Sequence, residues 1–174
     1  MKKFELYHPI HTEHFILDWL TKSKIKDVFA LMSDQKIAQS SGRIPNHSIE
    51  ETTHFVNEMM RQIMKNKQLV WGVSDKKTQE FLGLFAFKNF DLTNKESAVY
   101  FETIANHQHQ GIMFEVLTRM SAFAFDELHL DQINATFQQN NIITMKLLNH
   151  AGFSYNPDKD HDGLLTYELK NPNL

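Results

Sequence analysis

Along the chain, short apolar runs alternate with polar turns, and the spacing of the apolar positions separates strand-like from helix-like stretches. Residues 14–20, HFILDWL, are short and apolar and predict a first strand. After them Ile25, Val28, Phe29 and Met32 recur at helical spacing. Ser48-Ile-Glu-Glu51 has the form of a capping box, so a helix is expected from there to about Asn66, with Phe55, Met59 and Ile63 on its apolar side. Residues 69–73 and 81–87 read as two strands joined through a polar turn, a hairpin. Residues 89–97 are polar and read as a loop, and 98–104 as a further strand.

From Gly111 the period changes. Met113, Val116, Leu117, Met120 and Ala124 predict a long helix ending near Leu128, followed by a strand over 132–137. Asn141 can cap a helix through Thr144, Met145 and Leu148 that Gly152 closes. Residues 153–155 and 164–169 read as the last two strands, with Asp162-Gly163 as a tight turn between them.

At 174 residues the chain fits one domain, 1–174, on a prior of roughly 100–200 residues per domain. Its 14 Phe and 8 Met are enough to fill one core. A net charge of −3 argues against a nucleic-acid footprint, which needs clustered Lys and Arg. With no cysteine, disulfides, thiolate metal sites and a Cys nucleophile are excluded, and a cytoplasmic location is expected. The first ten residues carry two lysines but no long apolar run, so no signal peptide is expected, nor any membrane span.

Chemistry concentrates in two segments. Residues 101–115 form a strand, a short polar loop with Gly111 and a helix start. A loop that enters a helix N-terminus presents free N–H groups and the positive end of the dipole, which suits a pyrophosphate; the same pattern also serves as a plain turn. The second segment is Asn141-Ile-Ile-Thr144, followed by Leu147-Leu148 and then Gly152-Phe153.

Taken together, Gln108-x-x-Gly111-x-Met113, Glu115 one turn into the helix, and Asn141-x-x-Thr144 ahead of Gly152-Phe153 resemble the GNAT superfamily of N-acetyltransferases. Its cofactor loop reads Q/R-x-x-G-x-G/A, and its later motif N-x-x-S-x-x-x-L runs on to G-F. The opening strand, the helix with Asp27, the Ser48 helix and the strands of Trp71 and Leu82-Gly83 are similar to the RimJ/RimL branch, which includes ribosomal-protein N-terminal acetyltransferases. The run Gly111-Ile-Met-Phe-Glu115 resembles the members that acetylate N-terminal alanine.

The resemblance implies a mixed α/β GNAT fold: a mostly antiparallel sheet of about seven strands, splayed between two central ones and flanked by about four helices. It implies acetyl-CoA as cosubstrate and direct attack by an amine in a ternary complex. Thr103, Ile104, Gln108, His109, Gln110, Gly111, Ile112, Met113 and Asn141 would bind the cofactor. An N–H within residues 103–105 would stabilise the oxyanion. Glu102 is the candidate base, or else an exposed strand carboxylate; Thr144 is a candidate donor to the thiolate, or else a first-turn helix residue. Asn141 would both contact the pantetheine and cap its helix.

Three departures from the family pattern stand out. Met113 replaces Gly or Ala and would crowd the phosphate turn. The loop between Ile104 and Gln108 is about one residue short. Leu148 stands where many members have the Tyr that protonates the thiolate. The turn carries no Lys or Arg, so protonated His107 or His109 would meet phosphate charge, and coenzyme A binding is expected to weaken as pH rises through about 6.5.

The leading acceptor is a protein N-terminal α-amine. A small amine such as an amino acid, polyamine or aminoglycoside is the alternative, and a non-catalytic coenzyme A-binding module is the reading that Met113 and Leu148 would favour. Monomer and homodimer are both compatible with the chain. Asp158-Lys-Asp-His-Asp-Gly163 matches the first half of an EF-hand loop, but Leu169 holds the twelfth position, so a hairpin turn is expected instead. No metal is expected from the ten histidines, and no G-x-S-x-G elbow supports serine hydrolysis.

Overall fold

The structure, a computed structural model, describes residues 2–108 and 110–174. The chain opens on a two-residue strand, β1 (Ile10–His11), and β2 (Phe15–Asp18). Three helices follow, α1 (Ile25–Met32), α2 (Gln35–Ser41) and α3 (Ile49–Met64). Then come β3 (Leu69–Asp75), β4 (Phe81–Asp91), β5 (Glu96–Thr103), α4 (Ile112–Asp126), β6 (Gln132–Gln138), α5 (Ile142–His150), β7 (Ser154–Tyr155) and β8 (Leu164–Lys170). The strands form one sheet in the order β1-β2-β3-β4-β5-β6-β8-β7.

Every pairing is antiparallel except β5 with β6, and that one is short. Glu96, Ser97 and Ala98 pair with Gln132, Ile133 and Asn134; beyond them the strands part. The closed end of this V is pinned by Glu96, whose carboxylate accepts from Gln132 and Asn134, both at 3.3 Å, and from Lys159 at 3.0 Å. β5 stays bonded to β4 up to Thr103, and β6 to β8 over its whole length, so the opening lies between two sheet halves that are each supported from behind.

Side chains sort onto the two faces by the alternation of the strands. One face, with α4 and α5, holds the larger core around Trp71, which is fully buried, stacks on Trp19 at 5.9 Å and meets Phe87 and Phe123 edge-on. Its indole N–H donates to the Tyr7 carbonyl at 2.8 Å. The other face carries α1, α2 and α3 over Val70, Leu84 and Ala86.

The expected elements are present with revised edges. Residues 89–97 are not a loop: β4 runs to Asp91 and β5 begins at Glu96, because the Asp91 carboxylate accepts from the amides of Thr93 and Asn94 and tightens the turn. Ser48 caps α3 as its sequence predicts, its hydroxyl accepting from Glu51 N–H at 3.2 Å. β1 and α2 are additions to the expected count. α2 carries little apolar periodicity, and what starts it is the Asp34 side chain accepting from Ile37 N–H at 2.9 Å.

Candidate functional site

The parted strands leave backbone groups without a ladder partner. Ile104 N–H donates to Leu82 carbonyl at 2.9 Å. Since hydrogen-bonded pairs alternate in an antiparallel ladder, Leu84 and Glu102 form the next such pair, and the amides of Phe101 and Thr103 face the other way, into the gap. The expectation for an oxyanion donor within 103–105 therefore narrows: Ile104 spends its N–H on β4, whereas Thr103 offers its own to the opening. Ile104 packs its side chain on the smaller core and borders a groove behind the cleft, so it does not join the other cofactor candidates.

The gap opens into a cleft of about 320 Å³ lined by Phe101, Glu102, Thr103, then Ala105, His107, Gln108, Gln110 and Gly111 of the turn, the start of α4, Asn141, Ile143, Thr144 and Leu147 of α5, and α2. Gly111 is the N-cap of α4 with φ of 74°, a left-handed conformation that β-carbons disfavour, and a methyl added there would meet nothing within 4 Å. It supplies no side-chain cap, so the first amides of α4 stay open toward the cleft. An anion fits such a turn by charge and by space. Asn141 caps α5 by accepting from Thr144 N–H at 3.1 Å and lines the same cleft. Gln108 donates its side-chain amide to the Thr103 carbonyl at 3.1 Å, tying the turn back to the strand end. Gln110 also lines the cleft, and His109 lies outside the described residues.

Met113 lines the cleft, yet it is 6 % exposed and packs into the larger core. Ile112 does the same. Leu148 is wholly buried and does not reach the cleft; Ile143, Thr144 and Leu147 are the α5 residues that do. Glu115, on the same helix turn, faces away to the β1–β2 corner. There it accepts from the Thr12 hydroxyl (2.6 Å), His14 N–H (2.7 Å) and the His14 ring (2.8 Å). Burial works against its charge, but these donors outweigh it and hold the carboxyl below its ordinary value.

Glu102 is not an exposed strand carboxylate. Its side chain is 1 % exposed, and both oxygens accept from Arg43, Oε2 from Nε at 2.8 Å and Oε1 from Nη2 at 3.0 Å. The Tyr100 hydroxyl donates to Oε2 at 2.6 Å. With its oxygens so engaged, it presents no idle carboxylate to an incoming amine. Arg43 was invisible to motif reasoning; a lone Arg after Gly42 in a polar loop carries no signal of its partner.

His107 also lines the cleft. Its ring bonds Glu80 at 2.9 Å and Gln110 at 3.2 Å, and the Glu80 bond raises the imidazole above its ordinary value. Behind the cleft, and sharing Asp34, Ile37 and Ala105 with it, lies a groove of about 890 Å³. Asp18, Asp27, Asp34, Asp75 and Glu80 border this groove, against Lys22 and Lys24. In the 158–163 turn Asp160 is used internally, accepting from Thr166 N–H at 2.9 Å. Among the described residues no group of three or more His, Asp or Glu could hold a metal ion, and no helix is long and apolar enough to cross a membrane.

The chain is 23 % identical to the uncharacterized N-acetyltransferase YoaA of Bacillus subtilis (strain 168) over 144 residues, 83 % of this chain and 81 % of that one. Among solved structures, RimL, a ribosomal L7/L12 alpha-N-protein acetyltransferase in complex with coenzyme A, superposes with a TM-score of 0.82. It is 15 % identical and covers 94 % of this chain and 98 % of its own. Spermidine N-acetyltransferase from Vibrio cholerae, in complex with coenzyme A and spermine, superposes with a TM-score of 0.77 at 16 % identity, covering 90 % of this chain and 95 % of its own. The family profile described as an acetyltransferase (GNAT) domain matches residues 14–154. With the splayed β5–β6 pair and the uncapped α4 turn opening on one cleft, the chain belongs to the GNAT acetyltransferase family.

Proposed function

We propose that this chain transfers the acetyl group of acetyl-CoA to a primary amine, and that the acceptor is the α-amine of a protein N-terminus. The observation that carries the reading is the convergence of two sets of unpaired backbone amides on one cleft: those of Phe101 and Thr103 at the strand edge, and those of the first turn of α4 behind Gly111. The first set suits the oxygen of a thioester as the amine adds to its carbonyl carbon, and the second suits a diphosphate. Bound acetyl-CoA supplies the activated acetyl group and a thiolate leaving group. Asn141 would orient the pantetheine arm, and the Thr144 hydroxyl, on the cleft wall, would donate to the departing sulfur.

The α-amine is favoured by what surrounds the cleft. Its most buried carboxylate, Glu102, is engaged by Arg43 and Tyr100. An α-amino group with pKa of about 8 is fractionally neutral at pH 7 and needs only weak assistance, whereas an alkylamine with pKa of about 10.4 needs a real base. RimL acts on such an α-amine in its own substrate. A polyamine is the second reading, and the groove with five acidic residues against two lysines favours it. In either case Asp34, on both the cleft and the groove, is the carboxylate that would receive the cationic acceptor.

Incubation with acetyl-CoA and a panel of N-terminal peptides, spermidine, spermine and aminoglycosides, followed by thiol release and mass spectrometry, tests this. Acetylation of peptide α-amines is the expected outcome, with turnover reduced in Thr144→Val. Thiol release with the small amines alone would replace the leading acceptor by the second. Tight coenzyme A binding without turnover of any amine would reject both.

A further inference from the structure

Arg43 joins the consecutive helices α1 and α2 to the distant strand β5. Its backbone N–H closes α2 on the Ala38 carbonyl at 2.9 Å, just after Gly42 takes a left-handed φ of 68°. Its guanidinium donates to the carbonyls of Leu31 (3.1 Å) and Met32 (2.8 Å) at the end of α1, which also accept from the amides of Asp34 (3.3 Å) and Asn46 (2.8 Å). The same guanidinium grips Glu102 on β5 through Nε and Nη2. Burial disfavours the Arg43 charge, yet the hydrogen bond and charge of Glu102 more than compensate and hold it above its ordinary value. Burial, and then the charge of Glu102, push the Tyr100 hydroxyl up, so it stays a donor to that carboxylate.

A buried ion pair is weak evidence for stability, because desolvation offsets most of the attraction. What this one does is geometric. Glu102 sits on the part of β5 that has left β6, beside the strand-edge amides of Phe101 and Thr103. α2 supplies the opposite wall of the cleft through Lys36, Ser40 and Ser41, buries Ile37 in the smaller core and touches α1 and β6. The Arg43–Glu102 contact ties the end of that wall directly to β5, beside the strand edge.

We propose that Arg43 is a positioning residue for the acceptor: acting through Glu102, it holds α2 against β5 so that the amine meets the thioester, and it leaves the cofactor turn unaffected. This rests on the cleft being the acetyl-transfer site. The cofactor turn is built from other contacts, namely Gly111, Gln108 on Thr103, and Asn141 on Thr144.

The test compares Arg43→Lys, Arg43→Gln and the double variant R43Q/E102Q with the unaltered chain. Measurements are coenzyme A binding by calorimetry, steady-state kinetics with the best acceptor of the panel, and amide hydrogen exchange over α2 and α4, all well below the melting temperature. Arg43→Gln should raise acceptor KM about tenfold or more and speed exchange across α2, with coenzyme A Kd within about twofold and α4 exchange unchanged. Arg43→Lys, which keeps the charge but loses the fork, should recover part of the loss. R43Q/E102Q, which leaves no unpaired buried carboxylate, should fold where Arg43→Gln is too unstable, and should still show fast α2 exchange and high KM. Coenzyme A Kd and acceptor KM rising together, or α2 exchange equal to that of the unaltered chain, would overturn the proposal. Should the unaltered chain acetylate nothing, the acceptor reading fails, and hydrogen exchange with coenzyme A binding alone decides whether Arg43 positions α2.

Discussion

The two walls of the cleft are held together in different ways. The wall proposed for the cofactor is local: Gly111 turns through its own φ, Asn141 binds an amide three residues on, and Gln108 binds a carbonyl five residues back. The α2 wall depends on contacts across the chain, Arg43 with Glu102 over 59 residues. A wall made of short-range backbone geometry serves a ligand whose diphosphate and amides do not vary. A wall tied to the strand by a side-chain clamp can be reshaped by a few substitutions, and it is the wall that would meet the variable acceptor.

The sharpest way to break the comparison is to strike where both walls share a support. A methyl added at Gly83 would lie 2.1 Å from the carbonyl oxygen of Glu102, and the atoms it meets are backbone and cannot swing aside. Gly83→Ala should displace β5 and with it both the strand-edge amides and the Arg43 anchor. Overpacking of this severity costs about 3 kcal/mol or more, which for a chain of this size lowers Tm by roughly 6–12 °C. A shift of about 1 Å at the reacting centre costs on the order of a hundredfold in rate. Gly72→Ala is the control, because its methyl meets first the Ser23 hydroxyl at 2.9 Å, a group that can rotate. Equal Tm and kcat/KM in Gly83→Ala and the unaltered chain would show that β5 is not the common support.

The same contrast explains what could be read in advance. Gly111, Asn141 and Thr144 are legible as a turn and a cap, geometries that act within a few residues. The long amphipathic helices and most strands were legible for the same reason. β1, with two residues, has too little pattern to detect, and α2 begins on a single Asp cap. Leu148 stands at a motif position but points into the core, and Met113 packs into the core while still lining the cleft, because a motif position says nothing about which way a side chain points. Glu102 was visible as a carboxylate on the right strand, but its partner Arg43 lies on a distant loop. No local signal tells a base from half of an ion pair.

A smaller change should separate the walls rather than break both. Asp34→Asn keeps the hydrogen bond to Ile37 N–H, since Asn caps helices about as well as Asp, and it removes one charge where cleft and groove meet. Acceptor KM should rise on the order of fivefold, with Tm and coenzyme A Kd nearly unchanged. An unchanged KM for peptides and polyamines alike would mean that cationic acceptors do not approach past Asp34.

The smallest effect concerns His107, which reaches from the turn to Glu80 at the border of the groove. His107 bonds Glu80 at 2.9 Å, and that bond raises the imidazole above its ordinary value. A raised imidazole contributes its stabilisation fully below the unfolded-state value of about 6.5 and loses it as pH climbs through the higher folded value. The cofactor turn is therefore best held on the acidic side, and coenzyme A affinity should fall as pH rises from about 6 to 8.5. His107 and Glu80 are 24 % and 50 % exposed at their side chains, so solvent screens the pair and the fall should be no more than about fivefold. His107→Gln should bind less tightly at pH 6 and show a flatter profile, which isolates this imidazole from the titration of the ligand's own phosphate. Parallel slopes in the two proteins would assign the pH dependence to the ligand and leave His107 as a contact between hairpin and turn with no part in holding the diphosphate.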